Sequence, residues 1–266
     1  MQIRNLMVGV GAMVFGAVVA AIAQSPKQTN PVKQASGTGT VANIEAAKHA
    51  DLGTMLAEAR TALGKARDYT STFTRQERLN GALGAEQVGE IKARVSPAGV
   101  YVRFARPEAI AGMEVSYSAK KATNKVMYRP AGVAGRKGFQ RLNTDDPKFL
   151  ADNRHPVTDW GMGPIVELIA TSTAREKTLN NPVEVYTADF QFANRNVTKY
   201  EILTRRPHAF RYAAKMVVYV DKETKLPVRF EAYDEPKAGM TSGDLLEAYS
   251  FTDLKLNVGV GENTFE

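Results

Sequence analysis

The chain has 266 residues, no cysteine and a formal net charge of +7 at pH 7. Without a thiol there is no disulfide, no cysteine-ligated zinc or iron–sulfur site, no thiol nucleophile and no lipidated cysteine. The length suits one large domain or two small ones that fold on a hydrophobic core alone. The moderate positive excess reads first as a solubility feature; the alternative is contact with anionic lipid head groups or other acidic partners, and no long basic run points to nucleic acid.

The N-terminus carries Arg4, then an uncharged apolar run over residues 6–22, then Ala21-Ile22-Ala23 ahead of Gln24. Positive start, apolar middle and small-residue exit predict a secretory signal peptide over residues 1–23. Retention as an anchor is the alternative, since the run sits at the short end of the ~17–25 residues that span a bilayer. Residues 24–43 are polar and rich in Pro, Gly, Ser and Thr, as in a disordered linker. The folded part is expected over residues 44–266.

Apolar residues at three- and four-residue spacings from Ile44 to Ala66 predict an amphipathic helix, weakened near Gly53. At Asp68 the period changes. Tyr69 and Phe73 fall on one parity and Thr70, Thr72 and Thr74 on the other, which predicts a half-buried strand over 68–79. Four more strands are expected over 87–95, 99–104, 113–118 and 125–130. PKFLADN (147–153) reads as a helical turn and GPIVELIATSTARE (163–176) as a second helix. Beyond Pro182, five strands are expected over 183–192, 196–205, 211–221, 226–235 and 245–257, with short polar joins. Long consecutive strands with short joins pair antiparallel. The expected class is α+β: a single antiparallel sheet of about ten strands, near the size at which a sheet must curl, with the helices in its concave face. Whatever space they leave there is a hydrophobic pocket.

Chemistry is sparse. There is no G-x-S-x-G, phosphate loop, dinucleotide fingerprint or paired-carboxylate glycosidase pattern. The densest stretch is NRHPVTDWGMGP (153–164), with the chain's single tryptophan. Asp152, His155 and Asp159 form D-x-x-H-x-x-x-D, which would allow a loop metal site or an acid–base pair, though the spacing matches no known ligand set. The structural alternative is a stiff lid: each X-Pro pair enforces extended geometry, Pro164 suits a first helical turn, Arg154 pairs with a carboxylate, and Trp160 and Met162 close over the core. In RQERLNG, the group Arg75, Glu77 and Arg78 reads as a surface ion-pair cluster.

Four segments together, YTSTFTRQERLNG, NRHPVTDWG, LPVRFEAYDEP and LLEAYSFTDLKLNVGV-x-x-N-x-F, resemble an exported bacterial family defined only as a domain of unknown function, DUF1571. The likeness spans residues 59–266. That family is in turn similar to the LolA/LolB lipoprotein carriers and the RseB-type periplasmic sensor domain. The resemblance implies a single LolA-like domain, a half-barrel with helices in its hollow, and an acyl-chain or lipid pocket in the periplasm. It implies no catalytic residue, cofactor or metal.

The expectation is therefore a soluble periplasmic, non-enzymatic binder of a lipid or of an acylated lipoprotein, with transient membrane-surface contact. Its expected lining is Phe73, Val102, Phe104, Met113, Val115, Tyr117, Trp160, Met162, Met216, Val218 and Phe230, chosen by strand parity and position in the lid. Alternatives are a sensor module that binds an envelope protein partner without lipid cargo, and a hydrolase or metal enzyme centred on His155.

Overall fold

The computed structural model describes residues 48–49, 51–121 and 124–265. The leader and linker expected over residues 1–43 lie outside them. Asp51 sets the start of the first helix: its carboxylate accepts from the Gly53 N–H at 2.9 Å and the Thr54 hydroxyl at 2.6 Å. Helix α1 therefore runs Leu52–Lys65, not from residue 44. Before it, Lys48–His49 forms a two-residue strand, β1, on Tyr186 and Thr187. Backbone pairing at a sheet edge overrides the helical spacing there.

The remaining strands follow in chain order: β2 Asp68–Leu79, β3 Ala82–Leu83, β4 Gln87–Arg94, β5 Gly99–Arg106, β6 Glu114–Ser118, β7 Lys125–Arg129 and β8 Gln140–Asn143. Helices α2 (Pro147–Ala151) and α3 (Met162–Thr178) separate them from β9 Val183–Phe192, β10 Arg195–Thr204, β11 Lys215–Asp221, β12 Pro227–Pro236 and β13 Gly243–Leu256. All ten expected strands form. The three additional ones, β1, β3 and β8, are only two to four residues long.

Every pairing is antiparallel, and the order is β1-β9-β10-β11-β12-β13-β2-β4-β5-β6-β7-β8, with β3 on β2. The two meanders are thus joined at the centre by β13 on β2. The result is one large, curved, open sheet with a few helices. Register shifts in β4–β5, β11–β12, β12–β13 and β13–β2 supply local bends. At the first of these bends Gly89 is required, because a Cβ there would lie 2.4 Å from the Arg103 carbonyl.

Alternation along β2 buries Tyr69, Ser71, Phe73, Arg75 and Glu77 and leaves the intervening side chains half-exposed. The buried parity continues into Ile91, Val102, Val115 and Val126 on one side and Phe251, Phe230, Val218 and Ile202 on the other. Helix α1 lays Met55, Leu56, Ala59 and Leu63 on that face, and α3 lays Met162, Ile165, Val166 and Ile169 there. Sheet and helices form one core cluster.

Candidate functional site

Between α2 and α3 the chain forms a strap over residues 152–161. Its composition dictates its course. Pro156 opens a single 3-10 turn, Val157–Asp159. Gly161 then adopts φ 131°, where a Cβ would sit 2.8 Å from the Tyr69 hydroxyl. That hydroxyl accepts the Met162 N–H at 3.1 Å and so docks the first turn of α3 onto β2.

Beneath the strap, the apolar parity of the sheet gives way to charge. Arg75 and Glu77 on β2 face Tyr249 and Glu247 on β13 across the central pairing. Glu247 is fully buried, Arg75 is 2% exposed and Glu77 7%. The expectation of a surface cluster for Arg75 and Glu77 is corrected here: both share parity with Phe73 and so point into the hollow. Only Arg78 faces outward, donating to the Leu245 and Gly81 carbonyls at 2.8 Å.

The strap supplies the complement. His155 Nε2 lies 2.7 Å and Arg154 Nε 2.9 Å from Glu247 Oε2. The Arg154 backbone N–H donates to Glu77 at 2.9 Å, and His155 Nδ1 is 3.8 Å from Asp159. Tyr212 donates to the other Glu247 oxygen and Tyr249 to Glu77. Trp160 is the apolar half of the closure. Its ring packs 6.3 Å from Phe73, 6.2 Å from Phe104 and 5.9 Å from Phe149, with the Arg75 guanidinium 4.3 Å from its centre. Yet the Trp160 indole N–H, one Arg75 nitrogen and the Asn153 carbonyl oxygen are buried without a hydrogen-bond partner among the described residues.

The far end of α3 is pinned in the same style. Buried Glu176 accepts from Asn181 and pairs with His208 at 2.9 Å. His208 and Tyr212 lie on one loop, so that loop holds both ends of the strap–helix unit.

Electrostatics follow from this placement. Burial alone lowers the His155 pKa. Hydrogen bonds to Asp159 and Glu247, with the charges of Glu247 and Glu77, more than reverse that and raise it to about 9. Burial holds the Arg75 pKa below its ordinary value and lifts that of Tyr249 well above its own. A folded-state pKa above the unfolded value of about 6.5 stabilises the protein fully below pH ~6.5 and is lost as pH rises through 9. The contribution is up to about 3 kcal/mol. Urea midpoints should fall between pH 6 and pH 9.5 by more in the parent than in His155→Gln. Equal falls in both proteins would remove His155 from the account.

Of the residues expected to line a pocket, Phe73, Val102, Phe104, Val115, Tyr117, Trp160, Met162, Met216, Val218 and Phe230 are buried in the core cluster. Met113 is half-buried against it. None of the eleven lines any of the three described cavities. Phe73, Phe104 and Trp160 meet directly, whereas Val218 and Phe230 lie on the β9–β13 side of the sheet. Among the described residues no three His, Asp or Glu side chains converge as a metal site. The sequence reading missed Glu247, Tyr249 and Tyr212. The available signal was that Glu247 shares parity with Phe251 along β13, as Arg75 does with Phe73 along β2.

Residues 66–266 match the family described as a protein of unknown function, DUF1571. The chain belongs to this family. No protein of curated function matches it. Among solved structures, this DUF1571 chain is similar to MucB in the Pseudomonas aeruginosa MucA/MucB complex, at 17% identity and a TM-score of 0.47, covering 82% of this chain and 61% of that one. It is similar to the Mycobacterium tuberculosis lipoprotein LppX at 10% identity and 0.42, covering 79% and 99%. A LolA superfamily protein from Nitrosomonas europaea gives 9% and 0.33, covering 80% and 96%. No helix among the described residues is long and apolar enough to cross a membrane.

Proposed function

We propose that this DUF1571 protein is exported to the periplasm and there binds a hydrophobic ligand, a lipid or the acyl chain of a lipoprotein, without acting on it chemically. The observation that carries this reading is the construction of the closure. The apolar face of the sheet is covered by a strap held with charged and polar groups, and at Trp160, Asn153 and Arg75 a buried polar atom makes no hydrogen bond among the described residues. A permanent core is built from apolar packing with its polar atoms satisfied. A cover that must release is better held by contacts that water can replace.

Binding then consists of lifting the strap and the N-terminal turns of α3, which exposes Phe73 and Phe104, the rings on which Trp160 packs, to an incoming chain. Each buried methylene contributes about 0.8 kcal/mol, so roughly five of them offset a latch worth about 3–5 kcal/mol. The motifs are those of DUF1571, and the similarity of that family to the lipoprotein carriers points the same way. His155 and Glu247 serve here as closure groups, since their ring nitrogen and carboxylate oxygens are committed to one another and to Arg154 and Tyr212.

Native mass spectrometry of the gently extracted protein should show one co-purifying lipid. Cis-parinaric acid should bind and quench the single tryptophan, and more tightly in Glu247→Gln, whose latch is weakened. Absence of lipid together with no probe binding by either protein would refute the reading. Co-purification of a stoichiometric protein instead would favour a sensor.

A further inference from the structure

The outer face of the sheet carries a second feature, unrelated to the hollow. Ser116 on β6, Met127 on β7 and Arg141 on β8 stand side by side in register. They share the parity opposite to Val115, Val126 and Leu142, which face the core. The C-terminal turn Glu262–Phe265 folds back over this face and lays the Phe265 ring within 3.2–3.4 Å of where a Gly99 Cβ would be. Between that turn and the strands lies a cavity of about 430 Å³ lined by Ser116, Met127, Phe265, Lys121, Lys125 and Arg141 among others.

Three observations give the cavity a chemistry. Ser116 is one of the lining residues, is 0% exposed, and its hydroxyl has no hydrogen-bond partner among the described residues. A buried hydroxyl left unpaired is a standing penalty that an incoming acceptor removes. The charged lining is entirely cationic among the described residues. Glu262 does not neutralise it, being paired with Arg94 and, at 3.3 Å, with Lys120. Lys125 also reaches Asn143, whereas Arg141, exposed at the rim, has no ion-pair partner among the described residues. The volume lies within the ~300–1,000 Å³ of small-molecule sites and is roughly fourteen water volumes. Met127 and Phe265 supply an apolar wall.

We propose that this cavity is a binding site for a phosphate ester. Arg141 and Lys125 hold the phosphate oxygens, Ser116 donates to one of them, and the organic portion rests on Met127 and Phe265. Guanidinium geometry suits a tetrahedral oxyanion, and such charge-assisted contacts are the strong ones. The ester is either a free metabolite or the head group of an anionic lipid, and both present the same chemistry to the cavity.

The test uses the full chain with two probes: glycerol 3-phosphate by titration calorimetry, and vesicles of equal phosphatidylglycerol and phosphatidylcholine by co-sedimentation, against pure phosphatidylcholine. Arg141→Glu, on an exposed edge strand, and Ser116→Val should each weaken binding about tenfold or more, the effect of losing one charge-assisted hydrogen bond. Binding of glycerol 3-phosphate without vesicle binding supports the site with a free ester as its ligand. Vesicle binding that requires phosphatidylglycerol and is competed by glycerol 3-phosphate supports it with a lipid head group. If neither probe binds, or if binding persists unchanged in Arg141→Glu with a native circular dichroism spectrum, the proposal fails. Cis-parinaric acid binding in the hollow should be indifferent to Arg141→Glu, which keeps the two sites separable.

Discussion

Replacing Glu247 by alanine is expected to destabilise the fold by about 3–5 kcal/mol, the magnitude seen when one partner of a buried ion pair is removed. The carboxylate is fully buried and receives His155, Arg154 and Tyr212. Without it, two cationic groups and a phenol remain against apolar surface, and water must enter or the strap must lift. Trp160 reports which. It is the sole tryptophan and is 2% exposed, so its emission should shift to the red in Glu247→Ala at denaturant concentrations where far-ultraviolet circular dichroism is still native. Glu247→Gln keeps the shape and several hydrogen bonds, and should cost less while lowering the His155 pKa toward its ordinary value. A Glu247→Ala protein within about 1 kcal/mol of the parent, with unshifted emission, would show that the latch does not hold the strap.

Trp160→Ala should also cost about 3–5 kcal/mol, for a different reason. The ring fills the space between Phe73, Phe104 and Phe149 and covers the buried Arg75 guanidinium. Truncation leaves a void lined by three aromatic rings and one cation. Because that cation is within reach, the void should hydrate, unlike a purely apolar one. Phe210→Ser, at a position 72% exposed, should stay within about 0.5 kcal/mol of the parent in the same urea titrations. Equal losses at the two positions would mean that Trp160 packs no better than a surface side chain.

The strands were legible because most alternate or carry β-branched and aromatic residues in runs bounded by Gly, Pro or short polar joins. Thus 68–79 and 183–192 appear with the bounds expected from the sequence. Strand β8 was not legible, since QRLN has neither alternation nor β-branching and is held only by pairing with β7. Strand β1 lies inside a stretch with helical spacing, and only the sheet edge at Tyr186 selects it. The latch was half legible. Arg154 seeking a carboxylate was read from the strap, but its partner stands 93 positions later on a strand where a glutamate reads as surface. Parity would have placed Glu247 inside; composition argued against it. How far the concave face is filled depends on side-chain packing between the sheet and the helices, which no local pattern encodes.

The pairing of β13 with β2 has a consequence for the order of events in folding. Tyr249 reaches Glu77 across 172 residues of chain, and the seam they share lies at the middle of the sheet. Until the last strand has been synthesised, β2 lacks one neighbour and the two meanders have no common interior. Completion of the sheet therefore waits on a late, long-range encounter.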